Sequence, residues 1–425
     1  MKKFGIIILA AVFCMALAMP AMAKVRVGGA VSYGWGYGNY DQDHMRNYAG
    51  GAFADEKTNI DMSVTIGTRL FASWINSKKT LGGEIAFNLV GENSAASGLT
   101  EGLRTRFAYA WWQINPKVKL TVGQQWVMYS WLTAPQNNGV GFTGSSENAG
   151  YGNVGNDREP GIRLDVKFTD SMTVSLGAFA PSSGIARNQG SWNTADDETT
   201  SPRWEIMVTG KLGPFTFYPS YMFGKIAYEA DLSDTMTQQL ADNDLSYWGF
   251  SLPVKASFGP FDFSGEYNTG ENLGNSSLWG SWPNVGGGVP GVVGRPLAEF
   301  GLDGSGTGRR MFYDAEYDGW WVQAKYKAFK KMSIQFIYGE EEVEMDRFGL
   351  AADWKADRDM WMIQFPITLQ PFFFLTPYYG KFDLGSLDFN AATGAGTAIP
   401  AGFSLLDGEP LGEVTVYGAG FWIMF

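Results

Sequence analysis

The sequence predicts an all-β fold, a transmembrane antiparallel barrel of about 16 strands. Three observations lead there: an aromatic and glycine-rich composition, polarity that alternates residue by residue, and connections that sort into two length classes. Fifty-five Gly, 16 Trp, 19 Tyr and 30 Phe among 425 residues suit pleated strands and tight turns better than helices. Charged residues make up 18%, below the roughly 25% of ordinary soluble domains. Such a composition excludes a collagen, a coiled coil and a disordered chain.

The chain opens with Lys2 and Lys3, an apolar run from Phe4 to Ala18, Pro20, and the small-x-small triplet Ala21-Met22-Ala23. Residues 1–23 therefore read as a cleaved secretory signal peptide. Cys14 is the single cysteine, and bulky Phe13 before it argues against lipid attachment. An exported chain without disulfides needs another source of stability. From residue 24 onward 30 basic residues face 43 acidic ones, which excludes nucleic acid as an expected partner. No later stretch of 18 apolar residues exists to form a spanning helix,. Barrel strands need only about 9–11 residues each, so residues 24–425 read as one barrel.

Strand by strand, the period is two. In the first strand Val25, Val27, Val31, Tyr33, Trp35 and Tyr37 alternate with charged, small or hydroxylic residues. In the fourth, Leu103, Phe107, Tyr109 and Trp111 are expected on the lipid side, with Arg104, Arg106, Ala108 and Ala110 opposite. In the sixth, Ile162, Leu164, Val166 and Phe168 alternate with Arg163, Asp165 and Lys167. A soluble sandwich alternates too, with the senses reversed, so connection lengths must decide. Short turns fall at Asn76–Lys79, Asn115–Pro116, Thr169–Asp170, Gly213–Pro214, Gly259–Pro260, Phe329–Lys330 and Gln370–Pro371. Long polar segments lie near 38–58, 92–101, 128–160, 181–201, 229–244, 270–309, 340–357 and 384–411. Seven turns alternating with eight loops join 16 strands, with both chain ends on the short-turn side, as in an outer-membrane barrel. Tyr417, Phe421, Ile423 and the terminal Phe425 alternate in the pattern that the barrel-assembly machinery reads. Aromatic girdles are expected from Tyr33, Trp35 and Tyr37 at one end and from Tyr109 and Trp111 at the other.

Residues 104–125, RTRFAYAWWQINPKVKLTVGQQ, resemble the general bacterial porins, and Thr68-Arg69-Leu70 through INSKKTLGGEIAFNLVGEN resembles that family's second and third strands. The resemblance implies a trimeric 16-stranded diffusion channel whose third loop, here 128–160, folds into the barrel. It also implies an arginine ladder facing acidic residues on that loop. The ladder falls on Arg69 and Arg106 and, in a looser match at the end of the loop, on Arg158; Arg104 shares the parity of Arg106. The family's acidic loop stretch is absent: 134–150 carries Glu147 alone, and Asp157 and Glu159 flank Arg158. The first-strand basic position is Ala30, with Arg26 lower down.

A wide barrel keeps a polar lumen because water fills it, and charges at a narrow point select what passes. Arg26, Asp61, Glu84, Lys119, Arg163 and Asp165 are expected to line that lumen; the plainer role for the arginines is to pair with these acids and stiffen the wall. Enzyme chemistry has little to work with. His44, in the first outer loop, is the only histidine, and no phosphate-cradling loop joins a strand to a helix. Glu340, Glu341, Glu342, Glu344, Asp346 and the Asp303-Gly304-Ser305-Gly306 turn lack EF-hand spacing, and read as a solvated face or a meeting point with cation-bridged lipopolysaccharide. Trp111-Trp112, Trp320-Trp321 and Phe372-Phe373-Phe374 break the alternation, one ring going to the girdle and the next packing inside, or else forming a sugar-stacking slide. The expected function is passive passage of small hydrophilic solutes across the outer membrane, without metal or cofactor, among lipid and lipopolysaccharide. The rivals are a channel selective for sugars, organic anions or peptides, an adhesin or anchor barrel, and a secreted soluble β protein.

Overall fold

Lipid cannot hydrogen-bond to a backbone, so strands that cross it must pair all the way round, and the computed structural model of this chain does so. It describes residues 23–41, 57–64, 68–90, 102–132, 152, 158–180, 196–197, 201–229, 244–273, 299–302, 310–345, 353–383, 385–390 and 412–425. Strand β1 (Ala23–Tyr40) leads to β2 in two pieces (Lys57–Val64 and Arg69–Asn76), β3 (Leu81–Val90), β4 (Gly102–Asn115) and β5 (Val118–Trp126). Next come β6 (Arg158–Thr169), β7 (Met172–Phe179), β8 (Arg203–Leu212), β9 (Phe215–Phe217 with Ser220–Glu229) and β10 (Asp244–Phe258). Last are β11 (Phe261–Glu271), β12 (Ala315–Phe329), β13 (Met332–Met345), β14 (Asp353–Gln364 with Ile367–Gln370), β15 (Phe373–Asp383) and β16 (Glu413–Met424). Each pairs antiparallel with the next, and β16 closes the ring on β1 from Ala30↔Met424 to Tyr40↔Val414.

All seven expected short turns are present, and local chemistry explains several. The Asn76 side-chain oxygen accepts the Thr80 N–H at 2.8 Å, and Asn115 accepts those of Lys117 and Val118 at 2.8 and 3.1 Å; both asparagines close their turns this way. Tyr218-Pro219 and Phe365-Pro366 interrupt β9 and β14, since proline has no N–H to give the ladder. The ladder continues through the proline carbonyls, which accept Val208 N–H at 2.9 Å and Ser333 N–H at 3.0 Å.

The greasy face looks outward. Val27 (68% exposed), Ile162, Trp204, Phe223, Phe263, Val322, Phe336 and Ile423 lie bare on the outside, whereas Ser32, Asp165, Ser175, Glu205, Ser251 and Glu266 are buried within. Placing a charge on that outer face at mid-membrane depth costs about 2–4 kcal/mol. We therefore expect Val322→Arg to lower the urea midpoint of the reconstituted barrel.

Strand β4 departs from the expected alternation. Its register to β3 slips between Ala86↔Phe107 and Phe87↔Thr105, which leaves Arg106 as an extra residue in a β-bulge,. Below the bulge the parity is reversed. Phe107 is buried and opposite buried Ala86, the Tyr109 hydroxyl donates to Glu84, and Trp111 faces Thr121. Ala108, Ala110, Trp112 and Ile114 are exposed, as is Asn115 at the turn. Phe107, Tyr109 and Trp111 are therefore lumenal, and the girdle position falls to Trp112 and Leu81. A spin label at Ala108 is expected to meet a lipid-soluble quencher and one at Phe107 to be shielded from it.

Other boundaries shift as well. Arg158 and Glu159 are the first residues of β6, so they belong to the wall and not to the third loop. Glu340, Glu341, Glu342 and Glu344 lie within β13, which runs to Met345. A short hairpin (Glu299–Leu302 with Arg310–Tyr313) and two added pairings (Asp196–Asp197 with Tyr228–Glu229, Leu387–Asn390 with Asp353–Ala356) extend the long-loop side.

Candidate functional site: an inward loop and an arginine wall

The segment leaving β5 turns straight into the barrel. Val127, Met128, Tyr129 and Ser130 are fully buried, and Ser130 takes the left-handed conformation at φ 51. Glu205 of β8 anchors this segment. One carboxylate oxygen accepts the N–H groups of Met128 and Tyr129 at 2.5 and 3.1 Å, and the other accepts Arg203 Nε at 2.8 Å. Neither Arg203 nor Glu205 has any side-chain exposure. A carboxylate at this depth is tolerable because it is met by donors, two backbone N–H groups and the Arg203 guanidinium,. Tyr129 lies on β10, where its ring would collide at 2.7 Å with any side chain at Gly249, and its hydroxyl donates to the Phe250 carbonyl at 3.5 Å. Leu132 packs on Trp321 of β12, with Trp131 and Tyr218 alongside.

The loop reaches the far wall. Gly152 donates its N–H to Glu341 of β13 at 3.0 Å, and its carbonyl accepts the Asn268 amide of β11 at 3.2 Å. The Tyr317 hydroxyl also donates to Glu341, at 3.2 Å. Gly152 sits at φ +77, and a Cβ there would run into the carbonyl oxygen of Trp320. In a ring of 16 strands β13 lies diametrically across from β5. At its described residues the third loop thus crosses the lumen to β8 and β10–β13, and it meets the remaining wall, β1–β6, where Trp131 lies against Arg163.

That remaining wall carries arginines, each laid on an aromatic ring. Arg26 lies 5.8 Å from the Phe71 centroid and Arg69 5.9 Å from that of Trp422. Arg106 lies 5.7 Å from Phe107 and 5.6 Å from Trp126, and donates to Asn88 at 3.4 Å. Arg158 lies 4.5 Å from the same Trp126, and Arg163 lies 5.2 Å from Trp131. Asp165 is held by Arg163 Nε at 2.7 Å, Lys119 at 3.2 Å and the Ser175 hydroxyl at 2.6 Å. Arg69, Asn88 and Arg104 share one register line across β2, β3 and β4. The side chains of Arg104 and Asp61 lie outside the described residues, as do Glu147, Asp157, His44 and residues 1–22. Glu159 pairs in register with Gln125.

Outward at the long-loop end, Glu342 meets Lys355 at 2.7 Å. Among the described residues no group of three His, Cys, Asp or Glu side chains is arranged to hold a metal. Tyr417, Ile423 and Phe425 are exposed outward on the closing strand, with Phe421 beside Tyr33. The anchors Glu205 and Asn268 escaped the sequence reading, and Glu341, expected on a solvated face, is buried at 1% exposure beneath the loop. Their partners are backbone groups, which leave no trace in a sequence. The one available signal was Trp320-Trp321, whose second ring is 1% exposed and seats the loop.

A closed 16-stranded barrel with a greasy exterior and a polar, loop-divided lumen defines an outer-membrane channel. The chain belongs to the Gram-negative porin family, which matches residues 9–368. No curated protein matches it in sequence. Its fold is similar to the outer membrane channel DcaP of Acinetobacter baumannii, at TM-score 0.61 and 17% identity over 95% of this chain and 98% of that one. It is also similar to an anion-selective porin from Comamonas acidovorans (TM-score 0.52, 12% identity, 95% and 100% of the two chains). Salmonella typhi OmpF aligns at TM-score 0.51 and 8% identity, over 95% of this chain and 98% of its own.

Proposed function

We propose that this porin is a passive diffusion channel that favours anions. The observation that carries this reading is the division of charge across the lumen. Arg26, Arg69, Arg106, Arg158 and Arg163 stand on the β1–β6 wall, with Arg104 in the same register line. On the opposite wall the carboxylates of Glu205 and Glu341 are engaged by loop backbone. The loop between them, residues 134–150, contains one acid, Glu147. A narrow path along a low-dielectric wall of one sign concentrates the opposite ion, and arginine keeps its charge at any biological pH. The Comamonas neighbour is described as anion-selective, which agrees with this reading. Small hydrophilic solutes cross down their gradient, and no residue is assigned a chemical step.

The remaining features of the reading follow from the family resemblance and the sequence ends. Residues 1–23 direct export, Tyr417 to Phe425 address the assembly machinery, and three copies associate in a bilayer containing lipopolysaccharide. The selectivity test is a salt gradient across a planar bilayer. Arg69→Ala with Arg106→Ala is expected to move the reversal potential towards cations; an unchanged potential would mean that these arginines do not set the preference.

A further inference from the structure

We infer that Lys211, Thr216 and Lys255 form a binding row for divalent oxyanions of the sulfate and phosphate class at the short-turn mouth of the channel. This site rests on the channel reading above and extends it to a class of solute. Lysines gather at this end of the lumen. Lys119, Lys167 and Lys327 each meet an acid, Asp165 at 3.2 Å, Asp170 at 2.6 Å and Asp262 at 2.8 Å. Lys211 and Lys255 are exposed, and among the described residues neither ammonium group has an acidic partner. The lumenal acids of β11, the strand beside Lys255, are engaged elsewhere: Asp262 by Lys327, and Glu266 by the Ser251 hydroxyl at 2.6 Å.

Strand parity places the row on the water side. Trp204, Ile206 and Leu212 of β8 lie exposed on the lipid face, as do Phe215 of β9 and Leu252 and Phe258 of β10, so Lys211, Thr216 and Lys255 point inward. They stand in one line, Lys211 opposite Thr216 and Thr216 opposite Lys255. With strands about 4.8 Å apart, two ammonium groups on flexible stems flank a single hydroxyl. The hydroxyls next along have donated already, Ser264 to Gln323 at 3.1 Å and Ser257 to Asp262 at 2.8 Å. Among the described residues that of Thr216 makes no such bond. Two like charges two strands apart repel, and an anion between them relieves that repulsion. Two negative charges match two ammonium groups, and the oxygens accept charge-assisted hydrogen bonds from both and a third from the Thr216 hydroxyl. Chloride offers one charge only.

The test uses the full barrel in planar bilayers carrying chloride current, blocked in turn by sulfate and by methanesulfonate, which has a similar head and a single charge. Sulfate is expected to reach half-block at about a tenfold lower concentration. Lys211→Gln with Lys255→Gln is expected to remove that advantage, and Thr216→Val to reduce it. Lys117→Gln with Lys330→Gln takes the same charge from two turns at the same end and is expected to keep it. Equal half-block by the two anions in the unaltered barrel would overturn the row, and needs no variant to fold. An advantage that survives Lys211→Gln with Lys255→Gln, or is lost equally in both double variants, would overturn it too. Each of these results leaves a reversal potential on the anion side intact, whereas a reversal potential without anion preference overturns the broader reading instead.

Discussion

Glu205→Ala is expected to raise single-channel conductance and to lower the unfolding midpoint of the barrel. Two N–H groups at the start of the third loop lose their acceptor together, those of Met128 and Tyr129. Arg203, which has no exposure, loses its counter-charge. Removing one partner of a buried ion pair costs about 3–5 kcal/mol, chiefly because the other charge remains buried. With its first anchor gone, the loop leaves the β8 wall and shifts across the path of the ions. Glu205→Gln keeps an oxygen for the loop and is expected to change conductance less. Arg203→Met with Glu205→Met separates the two effects: stability recovers, since an apolar pair needs no partner, while the loop stays released. Recordings together with urea titrations of all three variants check this. A conductance that follows stability and not the presence of the acceptor would rule out the anchor.

Gly152→Val is expected to release the other end of the loop and leave the barrel folded. At φ +77 a residue with a Cβ costs about 1–2 kcal/mol in backbone strain. The larger obstacle is steric, because the new carbon would run into the Trp320 carbonyl oxygen, which belongs to the strand ladder and cannot move aside. The backbone at 152 must leave the wall, and Glu341 and Asn268 lose their loop partners. Conductance should rise and its noise increase, while mobility on unheated gels stays that of the closed barrel. Both anchors act on one loop, so the conductance changes of Gly152→Val and Glu205→Ala should combine to less than their sum. Full additivity would mean that the two contacts hold separate elements.

Much of the fold was legible because a barrel imposes its pattern on every strand. Val27 and Ile162 face lipid, and Asp165 faces inward, as their parity in β1 and β6 required. The turns at Asn76 and Asn115 carried their own chemistry. Strand β4 was misread below Arg106 because a bulge adds one residue without marking the sequence, and one residue is enough to exchange the two faces. Arg158 was placed in the loop because it ends a long polar segment, 128–160, whereas pairing with Trp126 makes it strand. Of the loop itself, the sequence disclosed its length and its lack of acids. It disclosed neither the seat on Tyr129 and Gly249 nor the landing of Gly152.

Period, turn chemistry and a terminal aromatic alternation were enough to determine a closed sheet with lipid outside and water inside, because each is a local property repeated along the chain. Which side chains meet in the lumen was decided only by tertiary structure. Glu205, Glu341 and Trp321 are separated from the loop residues they hold by between 76 and 189 positions. They act on it through backbone N–H groups and ring faces, which every sequence possesses and which acquire a function only once the ring of strands has closed.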